Sequence, residues 1–182
     1  SEVLRDFCTS QLFADLCHDL IGPDARLYWE QAVYKQPHGV EPVLWHQDNG
    51  YTYVEPQEYL TVWLALTDAT LDHGCPEVAP GCHRLGTLAH HYVDPLGWEC
   101  LPEGTPSVAA PVPAGGAVVF SSLTPHRTGP NTTDSVRKAY ILQYSPPDAA
   151  VLEGDPAAGD PTGRVPCTAE GRQYEVLSSR RL

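Results

Sequence analysis

The sequence predicts a mainly β fold, a sandwich or barrel, and three observations carry this. Short runs rich in β-branched and aromatic residues follow one another from residue 25 to residue 144. The turns between them draw on 15 glycines and 18 prolines. Helical periodicity is confined to one early segment. At 182 residues the chain is long enough for one domain with a real core.

The helix comes first. In 10–21, SQLFADLCHDLI, the residues Leu12, Phe13, Leu16, Cys17 and Leu20 recur at helical spacing. Ser10 is placed to cap its start, and Gly22-Pro23 stops it. Strands are then expected over 25–35 (ARLYWEQAVYK), 42–48 (PVLWHQD), 58–68 (EYLTVWLALTD), 77–81 (EVAPG) and 86–93 (GTLAHHYV). Three more are expected over 107–112 (SVAAPV), 116–122 (GAVVFSS) and 135–144 (SVRKAYILQY). From 145 onward Pro, Gly, Asp and Ala dominate, and 145–182 is read as an irregular C-terminal segment of a single domain covering 1–182. No internal repeat is visible.

The formal net charge is −12, from 23 acidic against 11 basic residues, and only Lys35 and Lys138 are lysines. Such a surface repels phosphate backbones and anionic lipid heads, which argues against nucleic acid and membrane as partners. No apolar run approaches the ~20 residues needed to span a bilayer. The six cysteines form no CxxC pair and read as reduced, partly buried thiols. With no basic-then-apolar leader in SEVLRDFCTS, the expected location is cytoplasmic. The chain contains no methionine, which suggests a trimmed form of something longer.

The chemistry concentrates around WHQDNG, residues 45–50. On a strand, residues two apart share a face, so His46 and Asp48 would aim an imidazole and a carboxylate at one point. Such a pair is either a surface contact or two-thirds of a metal site. The best candidate for a third ligand is His126, which follows the strand GAVVFSS and Pro125 and so sits at a strand's mouth. Two imidazoles and one carboxylate occupy one face of an octahedral Fe(II) and leave up to three positions open.

Arg137 lies eleven residues after His126, across the turn-rich RTGPNTTDSV, and a hairpin would return it alongside that histidine. A guanidinium in a partly buried strand needs an anion, and its planar fork suits a carboxylate. Thr128 could donate a hydroxyl to the same group. The anion is either a bound co-substrate or an ordinary Asp or Glu partner.

In order along the chain, HQD, WLALTDATLDHGC, PGCHR, GGAVVFSSLTPHRTGPN and VRKAY resemble the phytanoyl-CoA dioxygenase family of Fe(II)/2-oxoglutarate oxygenases. The resemblance runs from about residue 10 to residue 144. It implies a double-stranded β-helix, a jelly-roll barrel of the cupin kind. It implies iron held by His46, Asp48 and His126, and O2 and 2-oxoglutarate as co-substrates. The far carboxylate of 2-oxoglutarate would meet Arg137 and Thr128, with Gln31 and Trp63 as further walls of its pocket. Tyr51 and Tyr53 would line the substrate side. The implied reaction hydroxylates an unactivated C–H of a small metabolite and releases succinate and CO2. Related iron halogenases replace the ligand carboxylate with a small residue, so the presence of Asp48 points to hydroxylation. Family members usually carry some tens of residues before the helix at 10–21 that are absent here, and Cys82 stands where serine is more usual. The alternative from another class is a non-oxygenase cupin, a metal-dependent isomerase or small-ligand-binding barrel, which would not need Arg137.

Overall fold

In the computed structural model the described residues are 1–155, 160–161, 165–166 and 174–177. Two helices open the chain, α1 (Glu2–Cys8) and α2 (Gln11–Leu20). The strands that follow are β1 (Asp24–Lys35), β2 (Val43–His46), β3 (Tyr53–Glu55), β4 (Leu60–Ala65), β5 (Pro76–Val78) and β6 (His91–Val93). Then come β7 (Gly97–Glu99), β8 (Val108–Ala109), β9 (Ala117–Ser121), β10 (His126–Thr128), β11 (Arg137–Ser145) and β12 (Ala150–Leu152). A single helical turn, α3 (Asp48–Tyr51), interrupts β2 and β3.

Eight strands form the barrel, and their pairing follows one rule. Strands β5 and β8 pair, then β4 and β9, then β2 and β10, then β1 and β11, all antiparallel. This is one long hairpin wound up on itself, with each rung nested outside the last. Rolling it places the rungs alternately in two facing sheets, ordered β1-β11-β4-β9 and β2-β10-β5-β8. That is a jelly roll, a double-stranded β-helix. A further strand, Tyr174–Leu177, extends the first sheet beyond β1.

The period-2 alternation of β11 and β4 decides what each face of the first sheet does. Tyr140, Leu142 and Tyr144, with Leu60 and Val62, turn outward and are covered by Phe13, Ala14 and Cys17 of α2 and Cys8 of α1. Phe13 stacks on Tyr144 with ring centroids 5.7 Å apart, and the Tyr144 hydroxyl donates to the Cys8 carbonyl at 2.8 Å. Arg137, Ile141 and Gln143, with Thr61 and Trp63, turn into the barrel. In β1 a bulge between Leu27 and Trp29 shifts the parity. Ala25 and Leu27 therefore pack under the helices, while Trp29, Gln31 and Val33 face the barrel interior.

Several expectations are modified. The helix lies where the sequence places it, but the Ser10 side chain makes no capping bond; its carbonyl accepts from Phe13 and Ala14. Leu12 and Leu20 of the apolar series point to solvent, 70% and 56% exposed. The expected strand 42–48 stops at His46, because Asp48 starts the turn α3. Much of 86–93 is irregular and only 91–93 is strand. The 145–182 segment, read as irregular, contains β12, which pairs with β3, and Tyr174–Leu177, which pairs with β1. Residues 156–159, 162–164, 167–173 and 178–182 of that segment lie outside the described residues. No helix among the described residues is long and apolar enough to cross a membrane.

Candidate active site

The rung formed by β2 and β10 sets the site. His46 and His126 are direct cross-strand partners, so their side chains leave the sheet on one face, with ring centroids 4.2 Å apart. Each ring is held from behind. His46 Nδ1 donates to the Leu44 carbonyl at 2.8 Å and His126 Nδ1 donates to the Thr124 carbonyl at 3.0 Å. That fixes both tautomers and turns both Nε2 lone pairs toward the interior. Burial, and then the neighbouring His126, hold the His46 pKa well below the usual imidazole value, so this ring is neutral and able to ligate.

The helical turn α3 brings Asp48 to the same point. Its Oδ1 lies 4.0 Å from His46 Nε2 and 3.8 Å from His126 Nε2, and the three ligand atoms all fall within 4.8 Å of one another. The side chains of His46, Asp48 and His126 are 13%, 13% and 9% exposed, so the donor set is shielded yet reachable. It is the only such cluster of three among the described residues. Two imidazoles and one carboxylate oxygen on one side of a cavity are the donor set that suits Fe(II) with open positions.

The cavity in front of these groups has a volume of about 450 Å³ and is also lined by Arg137, Thr128, Trp63, Gln31 and Tyr51. Arg137 is 1% exposed, and its Nε and Nη1 have no hydrogen-bond partner. Neither does the buried Thr128 Oγ1. Burial lowers the Arg137 pKa to about 10. The guanidinium lies over the Trp63 ring, 5.1 Å from its centroid, which orients the fork without neutralising it. Two guanidinium nitrogens and one hydroxyl, buried without hydrogen-bond partners on residues that line one cavity, can take up a carboxylate brought in from solution. The expected hairpin between His126 and Arg137 is not what joins them. β10 and β11 lie in opposite sheets, so the two residues face each other across the barrel. The corner between the sheets is tied by Asn131, fully buried, whose amide donates to the carbonyls of Lys35, Gln36 and Ser135.

Gln31 and Tyr51 line the cavity, and Tyr51 stands edge-on to His46 at 5.2 Å. The Trp98 backbone N–H donates to the Tyr51 hydroxyl at 3.3 Å. Tyr53 is placed elsewhere: it is 4% exposed and lines a different pocket beside Leu152. The reason is α3, which breaks the strand alternation that would have kept 51 and 53 on one wall.

Four supporting residues escape a reading of the sequence. Thr61 donates its hydroxyl to Asp48 Oδ2 at 2.6 Å. Gln47, between the two ligands and 0% exposed, donates to the carbonyls of Gly86 and Leu123 and accepts from Leu88 N–H. Buried His90 accepts from the Gln47 backbone N–H at 3.1 Å. Asn49 accepts from Val54 N–H at 2.7 Å. Alternation could have marked Gln47 as pointing away from His46 and Asp48 into protein; nothing local marks Thr61 or His90.

The family model for phytanoyl-CoA dioxygenase (PhyH) matches residues 1–139. The methylphosphonate hydroxylase of Gimesia maris is 31% identical over 161 residues, covering 84% of this chain and 56% of that protein. The chain spans about half the length of the curated relatives it matches. Among solved structures, EvdO2 from Micromonospora carbonacea var. aurantiaca complexed with 2-oxoglutarate superposes with a TM-score of 0.67 at 29% identity, covering 88% of this chain and 67% of that one. The epimerase SnoN in complex with Fe3+, alpha ketoglutarate and nogalamycin RO superposes with a TM-score of 0.73 at 25% identity, covering 93% and 72%. The match of the family model over most of the chain, on a jelly roll that gathers His46, Asp48 and His126, establishes that this chain belongs to the phytanoyl-CoA dioxygenase family.

Proposed function

We propose that this chain is the catalytic barrel of an Fe(II)/2-oxoglutarate-dependent dioxygenase that hydroxylates a C–H bond of a small metabolite. The observation that carries the reading is a buried Arg137, with Nε and Nη1 lacking hydrogen-bond partners, sharing one cavity with the His46–Asp48–His126 cluster. A metal-binding barrel of another kind needs the cluster but has no use for an uncompensated guanidinium.

In this reading His46 and His126 hold the iron through Nε2, and Asp48 through Oδ1. Arg137 and Thr128 hold the far carboxylate of 2-oxoglutarate, and Gln31 and Trp63 close its pocket. When bound, the iron and the keto acid supply the oxidation, in which substrate, 2-oxoglutarate and O2 become alcohol, succinate and CO2. The chain's own work is to keep both imidazoles in the ligating tautomer, to fix the keto acid at its far end, and to shield the centre from bulk water.

The substrate enters past Trp29 and Tyr51, which are 51% and 46% exposed. Among the described lining residues Arg137 is the one lysine or arginine, and in this reading it belongs to the co-substrate. That favours an uncharged substrate with an apolar or planar face over a phosphonate or an acyl-CoA.

The test is anaerobic addition of Fe(II) and 2-oxoglutarate, which should produce a weak visible charge-transfer band. A folded, metal-loaded sample with no band would favour the non-oxygenase cupin reading. A screen that follows succinate release would then identify the substrate.

A further inference from the structure

The Asp48 carboxylate is held on both sides, and the two sides differ. Oδ1 faces the two histidine nitrogens at 4.0 and 3.8 Å, while Oδ2 accepts the Thr61 hydroxyl at 2.6 Å. That distance lies in the range of a hydroxyl donating to a charged carboxylate. Thr61 cannot turn elsewhere easily: it is 1% exposed, in the middle of β4, between register partners Gln143 of β11 and Phe120 of β9. The neighbour two positions along its face, Trp63, lies under the Arg137 guanidinium. One strand therefore supports the metal ligand with one side chain and the carboxylate anchor with the next.

From this geometry we infer that Thr61 is a positioning residue that restricts Asp48 to ligation through one oxygen, and so sets how many metal positions stay open. The inference rests on the iron and 2-oxoglutarate reading above. Two imidazoles and one carboxylate oxygen leave three positions of an octahedron. A chelating 2-oxo acid needs two of them, which leaves one for dioxygen. A carboxylate free to rotate and bind through both oxygens would take that last position. The hydroxyl engages Oδ2 in the folded chain and prevents the rotation. It also fixes the orientation of a first ligand, which elsewhere is commonly worth about 10–100-fold in metal affinity.

The test compares the whole chain with Thr61→Val, which keeps the shape and removes the hydroxyl, and Thr61→Ser, which keeps the hydroxyl. Co(II) is the probe, added to metal-free protein and followed by calorimetry and by its visible d–d bands. Thr61→Val should bind Co(II) about 10–100-fold more weakly with altered band intensities, and Thr61→Ser should lie within about threefold of wild type. A Val variant equal to wild type in affinity and spectrum, or a Ser variant as impaired as Val, would overturn the assignment. A second measurement needs no variant: infrared spectroscopy of the Co(II) protein with isotope-labelled aspartate. The splitting of the carboxylate bands should show one-oxygen ligation, and a two-oxygen pattern in wild type would refute the role even if Thr61→Val failed to fold. Failure of the underlying reading looks different. In that case wild type itself neither binds Co(II) nor gives the Fe(II)/2-oxoglutarate band.

Discussion

Arg137→Met should weaken co-substrate binding and, without co-substrate, stabilise the protein; the two effects have opposite signs and come from one cause. Burial lowers the Arg137 pKa from its ordinary value to about 10, which makes the charged form about 3 kcal/mol less favourable in the fold than in water. For a cation this direction means the folded chain holds the proton less tightly than the unfolded chain. The penalty is therefore present in full throughout the neutral range and lifts only as pH rises through about 10. Methionine fills much of the same space without charge but loses the contact over Trp63, worth about 1–2 kcal/mol when desolvated. The net expectation is a gain of about 1–2 kcal/mol in the co-substrate-free state, a rise in Tm of about 2–8 °C for a chain of this size. Binding goes the other way. Two charge-assisted hydrogen bonds from Nε and Nη1, at about 1.5–3 kcal/mol each, raise the Kd for 2-oxoglutarate by about 10²–10⁴-fold when lost. The assay is thermal unfolding of metal-loaded wild type and variant, with and without 2-oxoglutarate. Wild type should gain about 2.7 kcal/mol at a hundredfold excess over Kd, and the variant nothing. A variant that melts lower than wild type alone, yet gains as much from 2-oxoglutarate, would refute the anchoring role.

Three other expectations can be checked directly. His126→Ala should abolish turnover and weaken metal binding by at least tenfold in a Co(II) titration; full retained activity would mean that another residue is the third ligand. Gly50→Ala should destabilise the chain by more than about 2 kcal/mol in urea. The new Cβ would lie only 1.8 Å from His90 Cε1, and that ring is 1% exposed and already engaged with Gln47 and Leu88. Tyr51→Ala and Tyr53→Ala should separate function from packing. The first changes substrate-dependent succinate release with little loss of stability, while the second costs about 3–5 kcal/mol in chemical denaturation.

What the sequence shows and what it hides follow from range. The helix over 10–21 and the long strands β1, β4, β9 and β11 are legible because their patterns are local and long. The shorter β10, only His126–Thr128, looks like turn because three residues carry no periodic signal; pairing with β2 and β5 on both sides is what makes it a strand. β12 is hidden in the same way by a Pro- and Gly-rich neighbourhood. At the site, His46, Asp48 and His126 can be named from residue type and spacing, and Arg137 from an unmet need for an anion. A shared strand face with His46 does not account for Asp48, since α3 rather than strand alternation aims it. Thr61 and His90 are not legible, because a threonine in a β-rich run and a histidine near a strand have ordinary structural readings.

The nested hairpin explains why residues so far apart in sequence meet. Each rung joins an early strand to a late one, so His46 meets His126 in one rung, while Trp63 and Arg137 come from the neighbouring β4 and β11 of the opposite sheet. The His46–Asp48–His126 cluster and Arg137 thus face each other from two sheets, and in the proposed reading a keto acid bound at both ends bridges them. This makes strand register a functional quantity. A slip of one residue in β2 would turn His46 to the other face and bring Gln47 inward. The buried ties of Gln47 to Gly86, Leu88 and Leu123, and of His90 to the Gln47 backbone, oppose that slip at the one position where it would cost the metal site. The polar residue between the ligands is fully buried and fully bonded because it locks the rung, and the two ligands on either side are aimed as a consequence.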